Sequence, residues 1–313
     1  MRQLEQVGSL RHRCAACGGS CQSVKVRILS QEEEDRIVRL GAELGVDAPV
    51  VGPAALRQLR HEGGGCAFQA EDGRCRIHSR YGLEAKPLIC RQFPLVATRV
   101  GEVVRVGVDP SCFAAAEGWL EGEPLDLGAL AVGGGALSAG EAAAEATLLR
   151  LLGEAGASVG GVLQALTGER CEAGDAVPPG FMARLQERIA ALPLRELADQ
   201  ESAGAQLART WRGLAAADWS SPLDRGALRP EHEAWALEAV RRVVALRLSE
   251  GIPSVVGVAL LALGGAVAAA HAAPDDFGAH YAGWLRGLRI APFWQGLIPG
   301  KGGLLWLARG LRP

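Results

Sequence analysis

Apolar and polar positions follow two rhythms along this chain, and the change falls near residue 113. Before it the periods are short. Ser23-Val24-Lys25-Val26-Arg27-Ile28 alternates as a half-buried strand does. Ser30 stands where an N-cap belongs, with Glu33 three residues on to complete a capping box. A helix is therefore expected over 31–45, burying Ile37, Leu40 and Leu44 and stopping near Gly45. A second short helix is expected over 53–61. The β-rich runs 95–100 and 103–108 flank Gly101-Glu102, a loop with glycine first that suits a tight hairpin.

After residue 113 the period becomes helical. Helices are expected over 140–155, 179–192, 195–216, 231–249, 254–272 and 276–290, the fourth with Leu237, Val240, Val244 and Leu248 as its apolar stripe. The expected fold class is α+β. A small cysteine-rich metal-binding domain with short strands and helices (1–120) precedes a Gly-rich linker or loop (121–140) and a mostly α-helical domain (141–313). Residues 251–274 carry no formal charge and are long enough to cross a bilayer. Their Ala, Gly and Val composition argues instead for a helix buried in the C-terminal domain, and membrane association is not expected.

Composition narrows function mainly by exclusion. At 313 residues and 49% hydrophobic the chain can bury a sizeable core, and a net charge of −2 gives no pull toward nucleic acid. The start lacks an apolar run of signal-peptide length, so the expected compartment is the cytoplasm, where thiols stay reduced. No GxGxxG or GxxxxGK[ST] loop is present, and the cysteine spacing is not that of radical S-adenosylmethionine enzymes.

The cysteines change the picture. Cys14, Cys17, Cys21, Cys66, Cys75, Cys90 and Cys112 crowd the first third, leaving Cys171 alone beyond it. In a reducing compartment such clustering points to a metal centre. Both a [4Fe–4S] cluster and a structural zinc take four ligands, and soft thiolates suit either. Seven thiols exceed one four-ligand set, so either a second metal binds or some thiols are structural. His12, His61 and His78 lie nearby, each singly read as a surface residue.

Cys14-Ala-Ala-Cys17-Gly-Gly-Ser-Cys21, then Cys66 and Cys75, then Cys90-Arg91-Gln92-Phe93-Pro94, resembles the YkgJ-type cysteine-cluster family of zinc- or iron-chelating proteins. Ser20 departs from it, standing where that family commonly has a cysteine. Cys75-x2-His78-x2-Tyr81-Gly82-x4-Pro87-x2-Cys90-Arg91 with Pro110-Ser111-Cys112 is similar to the FliB-type flagellin lysine N-methylases within it, over about residues 10–115. The resemblance implies a [4Fe–4S] cluster (zinc or mononuclear iron being the alternatives) and S-adenosylmethionine as methyl donor. It also implies a protein substrate offering lysine side chains, such as a flagellin. Tyr81, Glu84 and Asp109 become candidate catalytic groups, and Arg91 a cofactor-binding one. The reading from another class is a non-enzymatic zinc- or iron-chelating protein for storage, delivery or sensing.

Overall fold

A computed structural model describes residues 3–134, 136–169, 178–200, 204–219, 228–248, 252 and 254–297. Cys171 and the first residues of the uncharged segment lie outside them. With about 54% helix and 13% strand, largely segregated along the chain, the fold is α+β.

Strand β1 (Gln3–Val7) leads to a short β2 (Arg11–His12) and the one-turn helix α1 (Gly19–Ser23). The expected capping helix is α2 (Gln31–Leu44). Ser30 Oγ accepts from the Glu33 N–H at 3.2 Å, and Gly45 closes the far end. The pairs β3 (Val50–Val51) with β4 (Gln58–Leu59), and β5 (His61–Glu62) with β6 (Gly65–Cys66), form two small antiparallel ribbons. The helix expected over 53–61 is absent. Only Ala54–Leu56 turns, as a 3-10 segment, because the backbone beyond it is committed to strand pairing: the Leu59 N–H donates to Val26 O and the Ile28 N–H to Arg57 O. The alternating 23–28 run supplies a single bridge, Arg27 to Gln58, rather than a strand.

Helices α3 (Arg76–Tyr81) and α4 (Leu88–Gln92) follow, then the expected hairpin of β7 (Leu95–Val100) and β8 (Val103–Val108), with Gly101 at φ +60°. Sequence rhythm missed its neighbours. β1 joins β8 in parallel, and after α5 (Ala115–Gly118) and β9 (Glu123–Pro124) the two-residue β10 (Val132–Gly133) joins β7 in parallel. The sheet order is β1-β8-β7-β10, so the Gly-rich 121–140 stretch contributes strands. β9 pairs with β2.

The second part stacks α6 (Ala139–Gly153), α7 (Val159–Thr167), α8 (Pro179–Ala190), α9 (Leu194–Ala198), α10 (Gly204–Ala216), α11 (Pro230–Ala245), α12 (Val255–Ala272), α13 (Phe277–Gly287) and α14 (Ala291–Leu297). The single helix expected over 195–216 is two, and Gly204 at φ +67° marks where the second begins. The uncharged segment forms α12, 83% of which is buried among its neighbours. Its Gly264 and Gly265 admit close packing: the Trp284 indole lies within 2.1 Å of where a Gly265 side chain would begin, and its N–H donates to Leu261 O at 2.9 Å.

The two parts are joined by buried charge. Arg105 on β8 reaches Glu145 on α6 at 2.6 Å, and Glu145 also takes Arg247 at 3.1 Å. Asp109, just after β8, receives both ends of the Arg289 guanidinium at 2.9 Å, along with the N–H and hydroxyl of Ser111. Arg286 on α13 donates to Ser111 O. Burial alone would raise the Asp109 carboxyl, but Arg289, Arg286 and Ser111 outweigh it and hold the group at about 2.

Two outcomes follow in urea denaturation. Gly265→Ala lowers stability by about 1–3 kcal/mol, because overpacking against a fixed indole exceeds the helix-propensity gain of about 1 kcal/mol. Gly140→Ala, with open space around it, does not destabilise. Asp109→Asn costs about 3–5 kcal/mol at neutral pH, since it unbalances a buried ion pair. The depressed carboxyl contributes stability above its ordinary 3.8 that disappears as pH falls toward 2, so the variant also shows a shallower loss across that window.

Candidate metal centre

Three thiols, Cys66, Cys75 and Cys90, pack against a small apolar core made by Val26, Ile37, Val46, Val50, Leu59, Phe68 and Ile77, and Cys21 lies within charge reach of all three. Each comes from a different local device. Cys21 rides on α1, which starts only because Gly18 takes φ +67°. Cys66 ends the β5–β6 ribbon, Cys75 stands at the N-cap of α3, and Cys90 lies on α4. Two side chains fix these pieces. Gln69 donates to Gly18 O and Gly73 O, both at 3.2 Å, pinning the first cysteine loop to the Asp72-Gly73 turn. The buried Glu33 carboxylate accepts from the Leu29 N–H at 2.9 Å and the Leu88 N–H at 2.7 Å, holding the start of α4 against α2.

All six pairs among Cys21, Cys66, Cys75 and Cys90 are near enough to feel each other's charge. Burial is the main reason three of these thiols resist ionisation: Cys66 is pushed up to about 12, Cys90 further, and Cys21 upward with the Cys75 charge adding to the effect. The Lys86 ammonium opposes this at all three, a positive charge beside the group that the cysteine spacing gave no reason to notice. All seven described cysteines are free thiols. Among the described residues no group of three or more His, Cys, Asp or Glu side chains is placed to hold a metal ion. The fold therefore supplies a gathering of soft donors, not a finished coordination shell.

The other three cysteines sit apart. Cys14 is exposed and Cys17 half-buried on one loop, within charge reach of Cys21. Cys112 is buried in the helical core, and burial pushes its thiol up to about 12. Among the thiols Cys112 responds to Cys17, and its sulfur lies 3.9 Å from His12 Nε2. His12 is not the surface residue expected from sequence. Pairing of β2 with β9 buries it to 7% exposure, while His78 is exposed and His61 half-buried.

The candidate catalytic residues are otherwise engaged. The Tyr81 hydroxyl donates to the Glu43 carboxylate at 2.6 Å, which raises its pKa, and Glu84 is ion-paired with Arg91. Asp109 belongs to the joint between the two parts and lies by Cys112 instead of the four-thiol group. No family model, curated protein or solved structure matches the chain.

Because the thiolate is the nucleophile, alkylation reads this arrangement directly. In metal-free protein at mildly alkaline pH, iodoacetamide labels exposed Cys14 first and Cys66, Cys90 and Cys112 last, as followed by peptide mass spectrometry. Uniform labelling rates would contradict the gathering.

Proposed function

We propose that this chain is an iron–sulfur protein whose [4Fe–4S] cluster is held by Cys21, Cys66, Cys75 and Cys90, and that it transfers a methyl group from S-adenosylmethionine to a lysine of a protein substrate. The observation that carries the first half is that four unbridged thiols lie within charge reach of one another, three of them packed on one core, with Lys86 alongside to offset thiolate charge. Four thiolates match the cluster's ligand number and softness. The second half rests on the resemblance of the Cys75–Arg91 and Pro110–Cys112 residues to the FliB-type enzymes. When bound through four thiolates the cluster would have every iron ligated, so the donor's polar end would have to be held by the chain's own groups.

The chain's own contribution to such a transfer concerns the acceptor. A lysine amine must shed its proton before its lone pair can attack a methyl sulfonium. Asp109 is ill suited as the base, with its carboxylate taken by Arg289 and Ser111, and Tyr81 and Glu84 are occupied by Glu43 and Arg91. Desolvation of the amine is the route these contacts leave. The second reading is a non-enzymatic zinc or iron chelator, which asks only for gathered soft donors such as the free thiols.

Anaerobically purified protein is expected to contain iron and labile sulfide in equal amounts, with a broad visible absorbance that Cys66→Ser or Cys90→Ser abolishes. Calorimetry is expected to show S-adenosylmethionine binding that the same variants lose. Zinc without sulfide, and no donor binding, favours the chelator. Neither metal nor sulfide removes both readings.

A further inference from the structure

Away from the thiols, three helix ends enclose a cavity of about 240 Å³ in the helical part. The end of α11 brings Val243, Val244 and Arg247 to it, the start of α6 brings Glu141, and Ile252 and Val258 complete one wall. We propose that this cavity binds the zwitterionic head and aliphatic chain of an α-amino acid, with the carboxylate on Arg247 and the ammonium on Glu141.

Three observations carry it. First, the two charges are fixed by the fold about one helical turn apart. Glu145 lies four residues after Glu141 on α6, so their side chains leave the helix ~5–6 Å apart on one face. Glu145 is buried and accepts from Arg247 Nε at 3.1 Å. Glu141 accepts from the Val255 N–H at the start of α12 at 2.6 Å, and among the described residues it has no cation as partner.

Second, Arg247 occupies a place that its backbone disfavours. It adopts φ +54° just past the end of α11, where its N–H donates to Val244 O at 3.2 Å and the Leu248 N–H to Val243 O at 2.9 Å. That pair of bonds closes a helix with a left-handed residue, which is usually glycine. A guanidinium is therefore kept at this cavity against a conformational cost.

Third, the wall is apolar and stiff. Val243, Val244, Ile252 and Val258 are all buried, and all four are branched at Cβ, which restricts their rotamers. The volume falls below the roughly 300–1,000 Å³ of sites for drug-sized ligands, so the occupant is small. An alkyl carboxylate would bring its charge beside Glu141, and an alkylamine would bring its charge beside Arg247. A zwitterion meets both groups while its chain covers the valines.

The test is calorimetry of the full chain with L-leucine and L-methionine, and with isocaproate, isoamylamine and L-alanine as controls. Leucine or methionine is expected to bind at least about tenfold more tightly than any control, the worth of one charge-assisted contact or of a lost apolar chain. Arg247→Gly suits the backbone and removes the guanidinium, so it keeps a cooperative urea transition and loses binding, whereas Arg247→Lys keeps part of it. Glu141→Gln leaves an oxygen for the Val255 N–H, weakens leucine and strengthens isocaproate, a reversal that a merely structural glutamate would not produce. Absence of binding by both amino acids, equal affinity for leucine and isocaproate, or variants that bind as wild type does overturn the site. S-adenosylmethionine carries the same head and chain, so it is added to leucine-saturated protein. Displacement of leucine assigns the cavity to the methyl donor, and independent binding assigns it to a free amino acid; both uphold the site. Cys66→Ser is expected to retain leucine binding, so failure of the metal centre and failure of this cavity are read apart.

Discussion

The joint at Asp109 is the constraint on which the rest of the arrangement depends. A carboxylate with 2% of its residue surface exposed keeps its charge only because a guanidinium fork and a hydroxyl meet it with good geometry. Those partners are one local and one distant in the chain. Arg289 follows α13, and Ser111 lies two residues beyond Asp109 itself. Satisfying one buried charge thus fixes the exit of the β7–β8 hairpin against the helical part. It also fixes Cys112, whose N–H donates to Asp109 O at 3.1 Å. The Arg105–Glu145–Arg247 chain repeats the device on the other side of the sheet.

From that anchor the thiols divide by environment. Cys66, Cys75 and Cys90 share a small core of their own, while Cys112 packs with the helices. Burial holds the Cys66 and Cys90 thiols in their neutral form, and the Lys86 ammonium works against that rise without cancelling it. His12 is left with a buried Nδ1 that has no hydrogen-bond partner.

The chemistry nearest the thiols also limits what the protein side chains can do. The carboxylates that looked like bases in sequence are spent on structure, Asp109 on Arg289 and Glu84 on Arg91, and the buried Glu33 is likewise taken by two backbone N–H groups. A sequence names titratable groups, but whether their lone pairs are free is a property of their neighbours.

Local signals were sufficient where the determinant is local. The Ser30 cap, the Gly101 hairpin and most long helices of the second part appear where the pattern placed them, the exception being the 195–216 run that splits in two, because capping, turn chemistry and helical periodicity act over a few residues. The crowding of seven cysteines was likewise plain in the sequence. Pairings across distance were not: β1 with β8, His12 carried inside by β9, and Lys86 brought beside the thiols each join segments whose sequences say nothing about one another. The helix expected over 53–61 failed for the same reason, since strand partners elsewhere claimed its backbone. Composition could count donors. Only packing, by deciding which of them lose water together, sorted them into groups.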